Sequence, residues 1–205
     1  MTSFTADVPV AEAIFASESV SSFGSSAPYL VLDVETQLSA AEVGGWHNAH
    51  AMRVSVAVLY DSSSDIFLSY TEDAMPELLQ RLEAASLVVG FNLKRFDYTV
   101  LSRYAQPGKA FFKTLPTLDM LEVVHKQLGY RLSLDNIAGA TLNAGKTADG
   151  LDALRWWKQG QIEKIRAYCE SDVRLTRDVY LHGKQHGFVL FTNKSGAKVR
   201  APVSF

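Results

Sequence analysis

Three short segments of the sequence carry carboxylates where simple backbone geometry would bring them to one place. Asp33 and Glu35 end a short apolar run, and residues two apart on a strand project from the same face of the sheet. Asp97 lies a few residues after a second apolar run. Tyr168 and Asp172 are four residues apart in a helical pattern, so they share one face of that helix.

Each segment alone also has an ordinary structural interpretation. Asp97 would suit the start of a helix, where its charge complements the helix dipole, and Tyr168 with Asp172 would suit a surface hydrogen bond. Taken together, however, converging carboxylates would repel one another unless divalent cations lay among them. Carboxylate oxygens with open water positions suit Mg²⁺ or Mn²⁺. Two such ions side by side are a standard means of hydrolysing a phosphodiester.

The composition is that of an ordinary globular domain. The chain has 205 residues, 47% hydrophobic and 20% charged, with a formal net charge of -2, which excludes a generally basic nucleic-acid coat and an acidic disordered protein. The single cysteine, Cys169, excludes an intramolecular disulfide and a Cys-rich zinc site. It fits a reducing compartment, so we expect a cytoplasmic protein. Since no apolar run approaches the roughly 20 residues of a membrane helix, we expect no membrane partner.

The charge is unevenly distributed along the chain. Residues 1–105 hold five Lys/Arg and thirteen Asp/Glu, whereas residues 106–205 hold fifteen and nine. This split is either a chance division of surface charge or an acidic cation site joined to a surface that attracts a polyanion.

Apolar runs and turn residues predict a flexible leader at residues 1–28 and one α/β domain at residues 29–205. Strands are predicted over residues 29–33, 53–60, 66–70 and 87–90, and a terminal β-hairpin over residues 188–192 and 198–203. Helices are predicted over residues 71–85, 94–104, 120–128, 133–142, 151–158 and 161–185, with Thr71 as the N-cap of the first. This order indicates a mixed sheet, beginning with an antiparallel meander and flanked by helices.

The acidic segments resemble the motifs of the DEDDy branch of the DnaQ-like 3′→5′ exonucleases, which have a ribonuclease H-like fold. Asp33-Val-Glu35 matches the first motif, Gly90-Phe-Asn-Leu-Lys-Arg-Phe-Asp97 the second and Tyr168-Cys-Glu-Ser-Asp172 the third. The second segment is especially similar to the proofreading domains of family B DNA polymerases and to bacterial predicted exonucleases related to them. The resemblance spans about residues 29–182 and implies a mixed sheet with parallel strands beside the meander.

The resemblance implies a role for each motif residue. Asp33, Glu35, Asp97 and Asp172 would hold two ions, Mg²⁺ or Mn²⁺, with Asp33 bridging both, and Tyr168 would position the attacking water. The substrate would be nucleic acid with a free 3′ end, DNA or RNA, released as nucleoside monophosphates. Two alternatives stay open: a non-catalytic binding module on the same fold, and a nuclease subunit that works only with a helicase or polymerase.

Five further residues are candidates for substrate binding. Thr36 directly follows the first motif, and Leu38 stands near the position where relatives carry an apolar wedge against the terminal base. Asn92 lies in the second-motif loop, and Phe96 is either core or a substrate contact. Lys146 would meet a phosphate, although its Gly-Lys-Thr loop lacks the upstream glycine and the strand of a P-loop.

Three other features have two interpretations each. Trp46, His47 and His50 lie in a polar excursion at residues 39–52; they would line the nucleotide site, or Trp46 would pack the loop against the sheet edge. Asp119 is expected as a helix cap or a support rather than a metal ligand. Trp156 and its neighbour Trp157 are expected mainly as core.

Overall fold

A five-stranded mixed sheet forms the centre of the protein, which we describe from a computed structural model. The structure describes residues 27–145 and 150–205. Nearly all of the leader predicted at residues 1–28 therefore lies outside the described residues. Within them, the predicted α/β architecture, with its mixed sheet, flanking helices and C-terminal hairpin, is confirmed.

The sheet joins an antiparallel meander to a parallel pair. Its strands run in the order β3-β2-β1-β4-β5, in which β1 pairs antiparallel with β2 and parallel with β4. The strand bounds are β1 Leu30–Thr36, β2 Val54–Asp61, β3 Ile66–Tyr70, β4 Val88–Gly90 and β5 Thr117–Asp119. Because β1 has neighbours on both sides, its side chains stand at the middle of the sheet.

Seven helices lie within the described residues. They are α1 Met75–Glu83, α2 Asp97–Leu101, α3 Lys109–Lys113, α4 Met120–Leu128, α5 Leu134–Leu142, α6 Gly150–Lys158 and α7 Ile162–His186. Two 3₁₀ segments, Trp46–Ala51 and Glu72–Ala74, precede β2 and α1. No helix in the described part of the chain is long and apolar enough to cross a membrane.

Alternation along β1 divides the core between the two faces of the sheet. Val31 belongs to the cluster that packs against α5, α7 and the hairpin, whereas Leu32 and Val34 belong to the cluster that packs against α1 and α2. Asp33 and Glu35 share the parity of Val31, so they project toward the α7 face. The period of the strand thus decides which helix meets the acidic pair.

Two helix predictions need correction. The Thr71 hydroxyl does not cap α1, because it bonds the Asp73 carboxylate instead and a 3₁₀ turn separates Thr71 from the helix. The helix predicted over residues 94–104 is regular only at Asp97–Leu101, and α3 was not predicted. Residues 93–96 form a turn rather than regular helix. The Tyr98 amide donates to the Leu93 carbonyl, five residues back, at 2.9 Å, which breaks the four-residue repeat of α-helical hydrogen bonds.

The C-terminal hairpin packs on α5 through paired side-chain hydrogen bonds. Strand β6, Phe188–Thr192, pairs antiparallel with β7, Lys198–Pro202. The other edge of β6 faces α5. There the Asn136 side chain donates to the Thr192 carbonyl at 2.9 Å and accepts from the Thr192 amide at 2.8 Å. Thr141 bonds the amide and carbonyl of Leu190 in the same way, at 2.9 and 3.0 Å.

Candidate active site

The acidic pair of β1 lies directly under the long helix α7. One face of that helix carries buried apolar residues against β1 and β2, among them Ile165, Cys169 and Val173. Asp172 is on this inward face and is only 2% exposed. Oxygen atoms of Asp33, Glu35 and Asp172 all lie within 4.8 Å of one another.

Cys169 fixes the spacing between α7 and β1. Its buried Sγ is 3.4 Å from both the carbonyl oxygen and Oδ2 of Asp33, to which the thiol donates. Burial, reinforced by the Asp33 carboxylate, holds the pKa of this thiol well above its ordinary value. This contact could not be predicted from the sequence, because a lone cysteine on an apolar helix face is typical of a core residue.

Tyr168 stands beside the three carboxylates with its hydroxyl directed to Asp172. Its side chain is 4% exposed, and its ring packs edge-on against Trp156 with centroids 6.1 Å apart. Burial raises the pKa of the phenol, and Asp172, with which it hydrogen-bonds, raises it further. The phenol is therefore a neutral hydrogen-bonding group. Trp156 packs as the expected core residue.

Asp97 is close to this group but is not one of the three whose oxygens meet. It begins α2, is 2% exposed, and its Oδ1 has no hydrogen-bond partner among the described residues. Burial, followed by repulsion from Asp33, raises the pKa of Asp97 well above its ordinary value. Asp97 thus adds a fourth, buried carboxylate near Asp33.

This set of donors fits a divalent cation. Every available ligand atom is a carboxylate oxygen, the type that Mg²⁺ and Mn²⁺ prefer. Three acids this close are costly without a counter-charge, and the buried Oδ1 of Asp97 is a further unsatisfied acceptor. Asp33, Glu35 and Asp172 are the residues positioned to hold such an ion, with Asp97 adjacent to Asp33.

The carboxylates open into a cleft with apolar walls. The cleft has a volume of about 630 Å³. Its apolar lining includes Leu38, Trp46, Phe96, Leu151 and Leu154. Trp46 is 72% exposed and Leu151 67% exposed, so both are available to a ligand. An acidic floor beneath exposed apolar walls would receive a molecule that has both a phosphate and a flat hydrophobic ring.

Comparison with known proteins identifies the family. Residues 30–182 match the sequence model of the RNase_H superfamily, a span that includes all of the acidic residues above. The chain belongs to the RNase_H superfamily. No curated protein matches it in a sequence search.

Solved structures agree with this RNase_H superfamily assignment at the level of the fold. The family B DNA polymerase from the hyperthermophilic archaeon Pyrobaculum calidifontis superposes with a TM-score of 0.53 and 13% sequence identity, over 78% of this chain. The match covers 24% of the polymerase, so the chain spans about a quarter of that protein's length. At this identity the similarity establishes a shared fold, and the divalent-cation chemistry general to RNase H-like nucleases is compatible with the acidic group.

The candidate substrate residues of this RNase_H domain divide into three groups. Thr36, Leu38 and Phe96 line the cleft; the Thr36 hydroxyl also donates to the Leu38 carbonyl, at 3.0 Å. Asn92 lies in a neighbouring cavity instead. Lys146 lies outside the described residues.

The excursion at residues 39–52 forms one wall of the cleft. Trp46 does not pack the loop against the sheet edge, as one interpretation expected; it lies at the cleft rim, edge-on to Phe96 with centroids 6.1 Å apart. An ion pair of 2.7 Å between Glu42 and Lys158 joins this wall to α6, which carries Leu151 and Leu154 on the opposite wall. These two leucines escaped the sequence analysis, although their i, i+3 spacing in a polar helix is a signal of an apolar stripe.

Asp119 has the supporting role expected of it. Its carboxylate accepts from the Leu121 amide at the start of α4 and from the Asn92 and Lys94 amides of the second-motif loop, at 3.1, 2.8 and 3.1 Å. This one side chain caps a helix and fixes the loop that leads to Asp97.

Proposed function

We propose that this protein is a metal-dependent 3′→5′ exonuclease that removes nucleoside monophosphates from single-stranded nucleic acid. The observation that carries the proposal is the convergence of Asp33, Glu35 and Asp172 beside Tyr168 at the base of one cleft. Membership of the RNase_H superfamily supports nuclease chemistry. The sequence resemblance to the DEDDy branch supplies the direction and the two-ion stoichiometry.

The residues of the site would have two roles, cation binding and orientation of the attacking water. Asp33, Glu35, Asp97 and Asp172 would hold two ions, Mg²⁺ or Mn²⁺, which when bound stabilise phosphate charge and lower the pKa of water. Tyr168 would hold the attacking water by a hydrogen bond, since a neutral phenol orients a water molecule rather than deprotonating it.

The cleft walls explain how a strand end would be placed. Trp46, Phe96 and Leu38 would contact the terminal base and sugar, leaving the scissile phosphate over the acidic floor. Water oxygen would form a bond to phosphorus as the bond to the 3′ oxygen of the preceding nucleotide breaks. That oxygen takes up a proton, and a nucleoside 5′-monophosphate leaves.

A role within a larger assembly is compatible with the same chemistry. The fold match to a family B DNA polymerase involves only a quarter of that protein. A separate polymerase or helicase acting as a partner would supply substrate ends to this cytoplasmic nuclease.

The direct test is degradation of oligonucleotides labelled at either end, as DNA and as RNA, with Mg²⁺, Mn²⁺ or EDTA. We expect shortening from the 3′ end, dependence on the cation, and a loss of about 100-fold or more in kcat for Asp33→Ala. Asp178→Ala, on the exposed side of α7, is the matched control and should retain activity. Activity that persisted in EDTA or in the Asp33 variant would refute the proposal.

A further inference from the structure

A series of adjoining cavities leads from the acidic cleft to the C-terminal hairpin. The cleft shares Trp46 and Phe96 with a cavity of about 580 Å³ that Arg95 and Arg131 also line. Arg131 also lines a third cavity, of about 910 Å³, which lies beside Tyr130 at the turn of the hairpin. The three cavities therefore adjoin one another in series, through Trp46 and Phe96 and then through Arg131.

The outer two cavities are basic, in contrast to the cleft floor. The Lys and Arg residues that line them are Arg95, Arg131 and Lys194, all three exposed. Neither cavity has an Asp or Glu among its described lining residues. Cations that line adjoining cavities, without an acid among the described lining residues, match the repeating charge of a phosphate backbone.

Exposed aromatic rings accompany these cations. Trp46 is 72% exposed and Tyr130 48% exposed, and Tyr130 is held edge-on against Phe191 with centroids 6.3 Å apart. Rings of this kind bind unpaired bases of any sequence, whereas a duplex hides its base faces. The combination therefore favours a single strand over a duplex.

Hydrogen bonds hold the groove in place at its middle and at its hairpin end. Arg131 donates to Asn92 Oδ1 at 2.6 Å, which ties the middle of the groove to the second-motif loop. At the hairpin turn, Asn193 Oδ1 accepts from the Ser195 and Ala197 amides, both at 3.0 Å. The turn that carries Lys194 is thus fixed by its own hydrogen bonds.

We infer that this basic groove, which begins at Trp46 and Phe96 on the border of the cleft and is formed by Arg95, Tyr130, Arg131 and Lys194, binds the single strand on the 5′ side of the nucleotide in the cleft. The inference rests on the proposed function for its polarity, with the 3′ end in the cleft. It gives the hairpin a substrate contact, although β6 and β7 lie beyond the residues 30–182 that match the family.

The test compares the parent with Arg131→Ala, Lys194→Ala and Tyr130→Ala. Affinity for a three-nucleotide and a twelve-nucleotide strand is measured by fluorescence anisotropy in EDTA across a salt series, and kcat/KM for both strands is measured with Mg²⁺. Lys126→Ala, an exposed cation on α4 outside the groove, is the matched control. Circular dichroism establishes that each variant folds.

We expect each cation variant to flatten the slope of log K against log salt by about 0.7 for the long strand. Tyr130→Ala should weaken long-strand binding about tenfold, while the short strand and the Lys126 control stay unchanged. Variants that matched the parent on the long strand, with hydrolysis intact, would overturn the groove alone. Absence of hydrolysis with the salt effect preserved would overturn the proposed function and leave the groove standing as a single-strand site.

Discussion

The thiol of Cys169 bonds both the main chain and the side chain of Asp33, each at 3.4 Å. It lies between Tyr168 and Asp172 on α7, so this contact sets how far both lie from the β1 acids. A larger side chain at position 169 would push the helix away from the strand.

We therefore expect Cys169→Leu to reduce activity more than it reduces stability. Overpacking should lower the free energy of unfolding by about 1–3 kcal/mol, and separation of Asp172 from Asp33 should weaken cation-dependent hydrolysis even at temperatures where the protein is fully folded. Cys169→Ala, which adds no volume, is the control. Equal activity in both variants, measured well below the unfolding midpoint, would contradict this account of the spacing.

Divalent cations should stabilise the folded protein through the three-carboxylate group. A ligand that binds only the native state at a hundred times its dissociation constant adds about 2.7 kcal/mol, so Mg²⁺ or Mn²⁺ should raise the thermal midpoint and EDTA should reverse the rise. Asp172→Asn should abolish the shift, whereas Asp178→Asn, on the same helix, should retain it. A full shift in the Asp172 variant would place the bound cation elsewhere.

Tyr168→Phe should separate water positioning from cation binding. The ring and its packing on Trp156 would remain, but the hydroxyl would be lost, so kcat should fall about tenfold to 100-fold with little change in KM. The cation-dependent thermal shift should persist. Tyr180→Phe, at a buried tyrosine three turns along α7, should leave kcat unchanged; a similar fall there would point to a general loosening of the helix.

Gly90 should tolerate no side chain. A Cβ atom at this position would lie 2.4 Å from Cγ of Leu93, which is fully buried. We expect Gly90→Ala to cost about 1–3 kcal/mol of stability and to displace the loop that leads to Asp97. The same substitution at Gly139, inside α5 with its nearest neighbour 3.9 Å away, should instead stabilise by about 0.5–1 kcal/mol. Chemical denaturation compares the two directly.

Glu72 should contribute an acid-sensitive part of the stability. Its carboxylate accepts hydrogen bonds from Arg53, Tyr104 and Gln37, and Arg53 above all lowers its pKa from 4.5 to about 2. Because the folded-state pKa is depressed, this contribution is complete above about pH 4.5 and is lost as the pH falls toward 2.

Glu72→Gln should accordingly lower stability at neutral pH by roughly 1–2 kcal/mol, after allowance for solvent screening. Its stability should then change less than that of the parent between pH 5 and pH 2. Glu77→Gln, in an exposed i, i+4 pair with Arg81, is the control. Parallel pH curves for parent and Glu72 variant would show that the carboxylate is uninvolved.

The sequence was sufficient for those parts of the site that follow from local periodicity. The two-residue period of a strand placed Asp33 with Glu35, and the helical repeat placed Tyr168 with Asp172. The exposure of Trp46 could not be predicted, because it depends on how the segment at residues 39–52 is positioned along the cleft in the folded protein. The position of Asp97 outside the group of three mutually close carboxylates depends equally on tertiary packing, which buries α2.

The bonds from Asn136 and Thr141 to β6 have a consequence for the behaviour of the protein in concentrated solution. A strand edge with unpaired amides and carbonyls is a template on which a second chain can add. Here side chains of α5 occupy the Leu190 and Thr192 groups of that edge. This edge of β6 is thereby protected from intermolecular strand pairing, and a helix satisfies backbone groups that a neighbouring strand satisfies in other sheets.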